Sequence, residues 1–238
     1  MYGWRARLGI ITPSANIVTE PEFKLMTPEG VSCHYQKFAF TGGGIEALKK
    51  LEKLVPDAAE LIAHIRPSAV AMCCTGASFA GGYGYDKMLI QKMKEKNGNL
   101  PTTTTSTSMI DAFNKLGIRK VSMAVPNLEE VAMAEKKFVE DHGIQVLNIK
   151  WLDLQDVLEI AAVPRETVYS LASEADESGS EAIFISCVAL HTIEVIEELE
   201  RDLKKPVISS NQATMWNLLR LANVSEKIEG YGQLLSKY

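Results

Sequence analysis

The sequence has no apolar run that approaches the roughly 18 residues of a membrane-spanning helix, and it shows no signal-peptide architecture. It also lacks an excess of positive charge: 25 Lys and Arg residues stand against 30 Asp and Glu residues, a net charge of −5. Nucleic-acid-binding proteins usually carry a basic surface. We therefore expect a cytoplasmic protein without a membrane or nucleic-acid partner. A small anionic substrate is compatible with this charge, because backbone N–H groups can hold an anion locally.

The sequence also lacks the motifs of nucleotide and metal sites. No G-x-G-x-x-G motif follows a predicted strand and no Walker motif occurs, so the glycine-rich residues 41–44 are interpreted as a flexible loop or a lid. The four cysteines, Cys33, Cys73, Cys74 and Cys187, have neither C-x-x-C spacing nor an accompanying histidine pair, which argues against zinc. Disulfides are rare in a reducing cytoplasm. We expect no metal and no cofactor, so each cysteine is either a core residue or a catalytic thiol.

The sequence does contain an internal repeat, which places two cysteines at equivalent positions. Three segments of the first half recur in the second half in the same order. The aligned pairs are 8–14 with 121–127, 69–75 with 182–188, and 101–106 with 206–211, at offsets of 113, 113 and 105 residues. In the middle pair, an apolar strand ends in Cys74 or in Cys187. The repeat predicts two similar halves that face each other across a cleft, with one thiol from each half able to contact a single substrate.

Short apolar strands alternate with amphipathic helices, which is typical of an α/β fold with parallel sheets. The predicted strands cover residues 8–12, 32–38, 69–73, 102–105, 121–125, 145–150, 182–186 and 207–209. The predicted helices cover residues 45–63 with an interruption near Pro56, 85–96, 109–116, 128–142, 165–178, 193–203 and 214–221. In such sheets, ligands bind beyond the carboxyl ends of the strands. The candidate substrate-binding residues at these ends are Ser14, Asn16, Thr75, Gly76, Asn127, Val188 and Asn211.

The chemistry open to Cys74 and Cys187 depends on how readily they ionise. A cysteine at a strand end beside a helix N-terminus can have its pKa lowered, so we expect a useful thiolate fraction at both positions. Two facing thiols allow racemisation of a carbon acid, cis–trans isomerisation through addition to a double bond, or protonation of an enediolate after decarboxylation. Each reaction needs donors that hold the substrate carboxylate. Asn16 has two interpretations of equal weight, as such a donor or as the N-cap of the following helix.

Four segments of the chain resemble the aspartate/glutamate racemase superfamily, and within it the branch of maleate cis–trans isomerases and arylmalonate decarboxylases. The segments are 12–16 with Glu20, 74–79 with 81–82, 186–187, and 209–216. The resemblance implies two α/β lobes related by a pseudo-twofold axis, each a short parallel sheet flanked by helices, with the active site in the cleft between them. The first lobe is then expected to comprise residues 1–112 and 213–238, and the second residues 113–212. Relatives are usually dimers or tetramers, so we expect a homo-oligomer.

The resemblance also implies roles for individual residues. Cys74 is expected to be the nucleophile or first acid/base and Cys187 its partner. Asn16 is expected to hold a substrate carboxylate, helped by the backbone amides of Thr75, Gly76 and Val188.

The choice among the family's reactions follows from the thiols. Arylmalonate decarboxylases have glycine where Cys74 stands, so the presence of both thiols favours maleate isomerase-like chemistry on a small dicarboxylate. The alternatives are an amino-acid or hydantoin racemase, an arylmalonate-type decarboxylase, and a non-catalytic carboxylate-binding protein. Maleate isomerases have a tyrosine where Asn127 stands and an asparagine near Val157. Asn127 is a candidate replacement for the tyrosine, and residues 156–160 contain no amide side chain.

Overall fold

The computed structural model describes residues 2–238, which form eight strands and twelve α-helices. The strands are β1 (Ala6–Pro13), β2 (Val31–Phe38), β3 (Ala69–Met72), β4 (Thr102–Thr104), β5 (Lys120–Asn127), β6 (Gln145–Leu154), β7 (Ala182–Ile185) and β8 (Val207–Ser209). The helices are α1 (Thr19–Met26), α2 (Ile45–Lys50), α3 (Val55–Ala63), α4 (Thr75–Phe79), α5 (Tyr85–Asn97), α6 (Thr105–Leu116), α7 (Glu129–Asp141), α8 (Val157–Ala161), α9 (Arg165–Ala175), α10 (Ile193–Leu203), α11 (Ser210–Leu221) and α12 (Gln233–Lys237).

The strands form two parallel four-stranded sheets with the same internal order. The first sheet has the order β2-β1-β3-β4 and the second β6-β5-β7-β8. The register is also the same, since Leu8 pairs with Ala69 in the first sheet and Val121 pairs with Ala182 in the second. These pairs are related by the offset of 113 residues found in the sequence. The predicted α/β fold of two parallel sheets flanked by helices is therefore confirmed.

The central strands are apolar because helices cover both faces of each sheet. Every residue of β3 (Ala-Val-Ala-Met) and of β7 (Ala-Ile-Phe-Ile) is buried. This is the pattern expected of parallel strands, whose crossover helices exclude water from both sides. None of the helices within residues 2–238 combines the length and the apolar character needed to cross a bilayer.

Several helix boundaries differ from the prediction for identifiable reasons. The predicted helix 45–63 is divided into α2, a short 3₁₀ turn and α3, and Pro56 lies in the first turn of α3, where its missing N–H costs no hydrogen bond. Helices α6 and α11 each begin four residues earlier than predicted. The first turn of α6 is Thr-Ser-Thr-Ser and that of α11 is Ser-Asn-Gln-Ala. The side chains of Thr104 and Ser209 cap these turns by accepting hydrogen bonds from backbone N–H groups. The prediction gave no bounds for the short helices α1, α4, α8 and α12, although it placed a helix after Asn16 and a helix N-terminus beside Cys74.

The two halves are joined through α6 and α11, which pack on each other. Helix α6 follows the first sheet, yet its Phe113 contacts Phe184 of β7 with ring centroids 5.6 Å apart. Helix α11 follows the second sheet and contacts β3 and β4 of the first. The Thr214 hydroxyl donates to the Thr105 hydroxyl at 3.3 Å between these helices. The lobe boundaries at residues 112/113 and 212/213 stay a prediction.

Candidate active site

The two cysteines singled out by the repeat line one cavity between the sheets. Cys74 directly precedes α4, and Cys187 lies two residues after β7. The other lining residues are Pro13, Asn16, Phe40, Gly43, Leu48, Thr75, Gly76, Asn127, Gln155, Val157, Ile160, Val188 and Ala189. The cavity volume is about 40 Å³. That is room for very few water molecules, so the cavity is narrow; Cys74 is buried in its wall and Cys187 is partly exposed.

The backbone conformations of the two cysteines differ although their positions in the repeat are equivalent. Cys74 is extended, with φ −156°. Cys187 has φ +82°, which is uncommon for any residue other than glycine and is often found at functional sites. A turn in which the Leu190 N–H donates to the Cys187 carbonyl at 3.2 Å helps to hold this conformation.

Burial dominates the ionisation of both thiols. It raises the pKa of Cys74 to about 11, opposed by a hydrogen bond from the Ala77 N–H. Burial also raises the pKa of Cys187 to about 12, opposed by the Ala189 N–H and reinforced by the charges of Cys74 and Glu135. The lowered pKa expected from the sequence is therefore wrong for these two thiols. Helix α4 has only five residues, and its dipole does not offset the desolvation of a buried thiolate.

Backbone N–H groups at the start of α4 lie beside Cys74, and their binding of an anion stays a prediction. The first N–H groups of a helix have no acceptor within the helix, and in α4 these belong to Thr75, Gly76 and Ala77. On the opposite side, Val188 and Ala189 follow Cys187 along the cavity wall. An anion between the sulfurs would therefore meet backbone dipoles from both halves.

Asn16 lines the cavity, and its side chain also fixes two segments of backbone. Its Oδ1 accepts hydrogen bonds from the N–H groups of Val18 and Thr19 at 2.9 and 3.0 Å. Its Nδ2 donates to the Thr19 hydroxyl at 2.9 Å and to the Val188 carbonyl at 3.3 Å. Val18, and not Asn16, is the N-cap of α1, so the N-cap interpretation is wrong in its strict form. Asn16 instead accepts from the backbone N–H groups at the start of the helix, and its contact with a carboxylate stays a prediction.

The other predicted binding residues divide into two groups. Thr75, Gly76, Asn127 and Val188 line the cavity together with both cysteines. Ser14 and Asn211 are not among the lining residues. Ser14 is exposed and its hydroxyl pairs with the Phe40 backbone, whereas Asn211 is buried and its Nδ2 donates to Glu22 and to the Val188 carbonyl.

The structure adds cavity residues that the sequence did not indicate. Gln155 contributes an amide to the wall near Val157, at the place where the sequence offered none. It was missed because β6 extends to Leu154, four residues beyond the predicted end. An apolar wall is formed by Phe40, Leu48, Val157 and Ile160, and no sequence pattern distinguished these from ordinary core residues.

A loop of residues 40–45, here called the strap, covers the cavity and connects the two halves. The Val157 N–H donates to the Thr41 carbonyl at 3.0 Å, and Gly42 forms an isolated antiparallel bridge with Asp156. At the other end of the strap, the Ile45 N–H donates to the Glu130 carboxylate at 3.1 Å. The glycine-rich segment interpreted as a flexible loop or a lid is therefore a cover held in place by residues of the second half.

Two buried glutamates flank the site and were also missed. Glu22 of α1 and Glu135 of α7 are related by the same offset of 113 residues and are both buried. Burial raises the pKa of Glu22 to about 7 and that of Glu135 to about 8. Each lies on the apolar face of its helix, spaced three or four residues from buried neighbours. That helical spacing is the sequence pattern that could have indicated that both glutamates are buried.

The fold and the site together define a class: a two-sheet α/β protein with paired thiols in the cleft between the sheets. Comparison with known proteins agrees with this class. The chain belongs to the arylmalonate decarboxylase family, whose model matches residues 8–235.

Relatives with two different activities resemble the chain over nearly its whole length. The arylmalonate decarboxylase of Bordetella bronchiseptica is 28% identical, covering 95% of this chain and 98% of that protein. The maleate isomerase of Alcaligenes faecalis is 24% identical, covering 97% and 96%. A solved structure of a Nocardia farcinica maleate cis–trans isomerase mutant, with a covalently bound succinylcysteine intermediate, has a TM-score of 0.92 at 22% identity and covers 98% of both chains.

Proposed function

We propose that the protein is a cofactor-independent cis–trans isomerase that acts on a small dicarboxylate such as maleate, with Cys74 and Cys187 as its catalytic residues. The observation that carries the proposal is that both cysteines line one narrow cavity. The maleate isomerase relatives support it, as does the succinylcysteine intermediate of the Nocardia farcinica protein.

In the proposed reaction, the Cys74 thiolate adds to one alkene carbon and forms a carbon–sulfur bond. The electron pair of the double bond moves to the neighbouring carbon, which takes the proton of the Cys187 thiol. Rotation about the new single bond brings the two carboxylates to opposite sides. The Cys187 thiolate then removes the proton, the double bond re-forms and the bond to Cys74 breaks. Every proton and electron pair is returned, so no co-reactant is consumed.

The surroundings of the thiols suit this sequence of steps. Backbone N–H groups of Thr75 and Gly76 would hold one carboxylate as negative charge develops beside it. Asn127 has no side-chain hydrogen bond to residues 2–238, so its amide is available for the second carboxylate. Gln155 offers another amide on the same wall. Asn16 would hold Val188 in place through its hydrogen bond to the Val188 carbonyl. When substrate is bound, the Asn16 amide would also donate to a carboxylate.

The test is incubation of the protein with maleate while fumarate is followed by proton NMR. Turnover is expected in the wild type and should be abolished by Cys74→Ala. Cys33→Ala is the matched control, because Cys33 is a half-buried thiol of β2 outside the cavity. Equal turnover in Cys74→Ala and in the wild type would contradict the mechanism.

A second function is favoured by the apolar wall of Phe40, Leu48, Val157 and Ile160. This wall suits a carbon acid with an apolar substituent, as in a racemase or an arylmalonate-type decarboxylase. Exchange of the Cα hydrogen with deuterated solvent, without isomerisation of maleate, would identify a racemase, and release of carbon dioxide would identify a decarboxylase. A non-catalytic carboxylate-binding protein would show ligand-induced thermal shifts without any of these reactions.

A further inference from the structure

Glu135 is a buried carboxyl group whose contacts lead to the catalytic cleft. It lies on the buried face of α7 and is fully excluded from solvent. Its Oε1 accepts a hydrogen bond from the Ser186 hydroxyl at 2.8 Å, and Ser186 immediately precedes Cys187. Its Oε2 has no hydrogen-bond partner among residues 2–238. A buried polar atom without a partner is destabilising and calls for a specific explanation.

The equivalent residue of the first half shows that the fold can satisfy a carboxylate at this place. Glu22 accepts hydrogen bonds from the N–H groups of Thr192 and Ile193 and from the Asn211 amide. These donors compensate its charge. Glu135 occupies the same point of the repeat with one hydroxyl donor, so its charge is left largely uncompensated beside the second thiol.

We propose that Glu135 is a positioning residue for Cys187: its bond to Ser186 fixes the strand end, and, once it is ionised, its carboxylate repels a thiolate at Cys187. Cys187 is thereby kept as the thiol that gives the proton, while Cys74 is the cysteine that becomes the nucleophilic thiolate. The assignment of catalytic roles rests on the proposed function. The electrostatic effect on Cys187 does not, because it is a property of the protein without substrate.

No other charge replaces Glu135 in this role. Helix α7 packs against β5, β6 and α4. The charged residues of β5 and β6 are Lys120, Lys150 and Asp153, all exposed, and α4 has none. Glu135 forms no ion pair with any of these residues. The ionisable groups that its charge meets within the site are the thiols.

The order of ionisation agrees with the proposal. Burial raises the pKa of Glu135 to about 8, and that of Cys187 to about 12, where the Glu135 charge adds to the effect. The raised pKa of Cys74 is due to burial. Glu135 therefore becomes negative before either thiol does, and its charge then adds to the raised pKa of Cys187.

The experiment measures the rate at which iodoacetamide alkylates each cysteine, resolved by peptide mass spectrometry, at pH 6 and pH 9. Below the pKa of a thiol, this rate follows the thiolate fraction, so one pKa unit is tenfold in rate. At pH 9, Glu135→Gln should raise the alkylation rate of Cys187 about tenfold, because a nearby like charge is removed. The alkylation rate of Cys74 should stay unchanged. At pH 6, where wild-type Glu135 is protonated, the two proteins should react alike. Glu135→Asp should restore the wild-type pattern.

The control is Glu140→Gln, which removes an exposed charge from the same helix and should change neither thiol. Equal Cys187 rates in the wild type and in Glu135→Gln at pH 9 would overturn the proposal, as would equal increases at both thiols. The wild type provides a second measurement that needs no folded variant: Cys74 should react faster than Cys187 at pH 9, and the reverse order would overturn the role assignment. The alkylation rates are measured without substrate. A protein that fails to turn over maleate would therefore contradict the proposed function without deciding the effect of Glu135 on Cys187.

Discussion

Asn16 reaches across the cleft to Val188, the residue that follows Cys187. The Asn16 Nδ2 lies 3.3 Å from the Val188 carbonyl oxygen, and the Thr19 hydroxyl donates to the same carbonyl at 3.2 Å. The start of α1 and the loop that carries the second thiol are thus parts of one hydrogen-bonded unit. The relative position of the two sulfurs depends on this unit.

Asn16→Ala should destabilise the protein and impair the site together. The substitution removes the acceptor of the Val18 and Thr19 N–H groups and the donor to the Val188 carbonyl, and loss of such a side-chain acceptor at a helix start costs roughly 0.5–2 kcal/mol. We expect the free energy of unfolding, measured in urea, to fall by that amount. We also expect the rate of maleate turnover to fall, because the loop that carries Cys187 loses its link to Asn16. Ser14→Ala is the control, because the exposed Ser14 hydroxyl contacts only the Phe40 backbone. A stability loss for Ser14→Ala equal to that for Asn16→Ala would contradict the argument.

The pH dependence of turnover distinguishes the raised thiol pKa from the lowered value that the sequence indicated. Because the pKa of Cys74 is raised to about 11, its thiolate fraction rises about tenfold per pH unit below that value. We expect kcat/KM for maleate to increase with this slope between pH 7 and pH 9. A plateau near pH 7 would show that the thiolate is already formed there and that burial does not control its ionisation.

Removing the contact between the strap and α7 should increase opening of the site. Glu130→Gln replaces the carboxylate that accepts the Ile45 N–H by a neutral and weaker acceptor. Hydrogen–deuterium exchange is expected to become faster at the amides of residues 41–45 and at Val157. The control is Glu129→Gln, its exposed neighbour in the first turn of α7. Unchanged exchange in Glu130→Gln would show that Glu130 does not hold the strap.

Glu135 should make stability depend on pH in the opposite sense to most carboxylates. Its pKa is raised from 4.5 to about 8, so the folded protein binds a proton that the unfolded chain releases. This contribution to stability is fully present below about pH 4.5 and is lost as the pH rises to about 8. Glu135→Gln should remove a decline on the order of 4 kcal/mol in the free energy of unfolding between pH 5 and pH 8.5.

The measurement is urea unfolding of the wild type and of Glu135→Gln at three pH values across that range. Glu140→Gln should retain the wild-type decline, because Glu140 is exposed. Parallel curves for Glu135→Gln and the wild type would show that Glu135 is not the group responsible. Glu22, whose pKa is raised to about 7, should contribute a smaller decline that ends near neutral pH.

The internal repeat was sufficient to predict that Cys74 and Cys187 line the same cavity, because equivalent strand ends of the two halves face one cleft. It could not supply the thiol pKa, which depends on how completely the cavity closes. It also missed Gln155, since strand continuation beyond residue 150 is decided by pairing with β5 and not by local pattern. Glu22 and Glu135 show a further limit: their helical spacing marks them as buried, but only the packed structure reveals which donors each one meets.

The left-handed backbone at Cys187, set against the extended backbone at Cys74, makes the two sides of the cleft unequal, although the two sheets have the same strand order. A symmetrical molecule such as maleate would present identical ends to two unlike walls. Turning it end for end exchanges only equivalent carbons, whereas an unsymmetrical acid would have one orientation that reacts and one that does not.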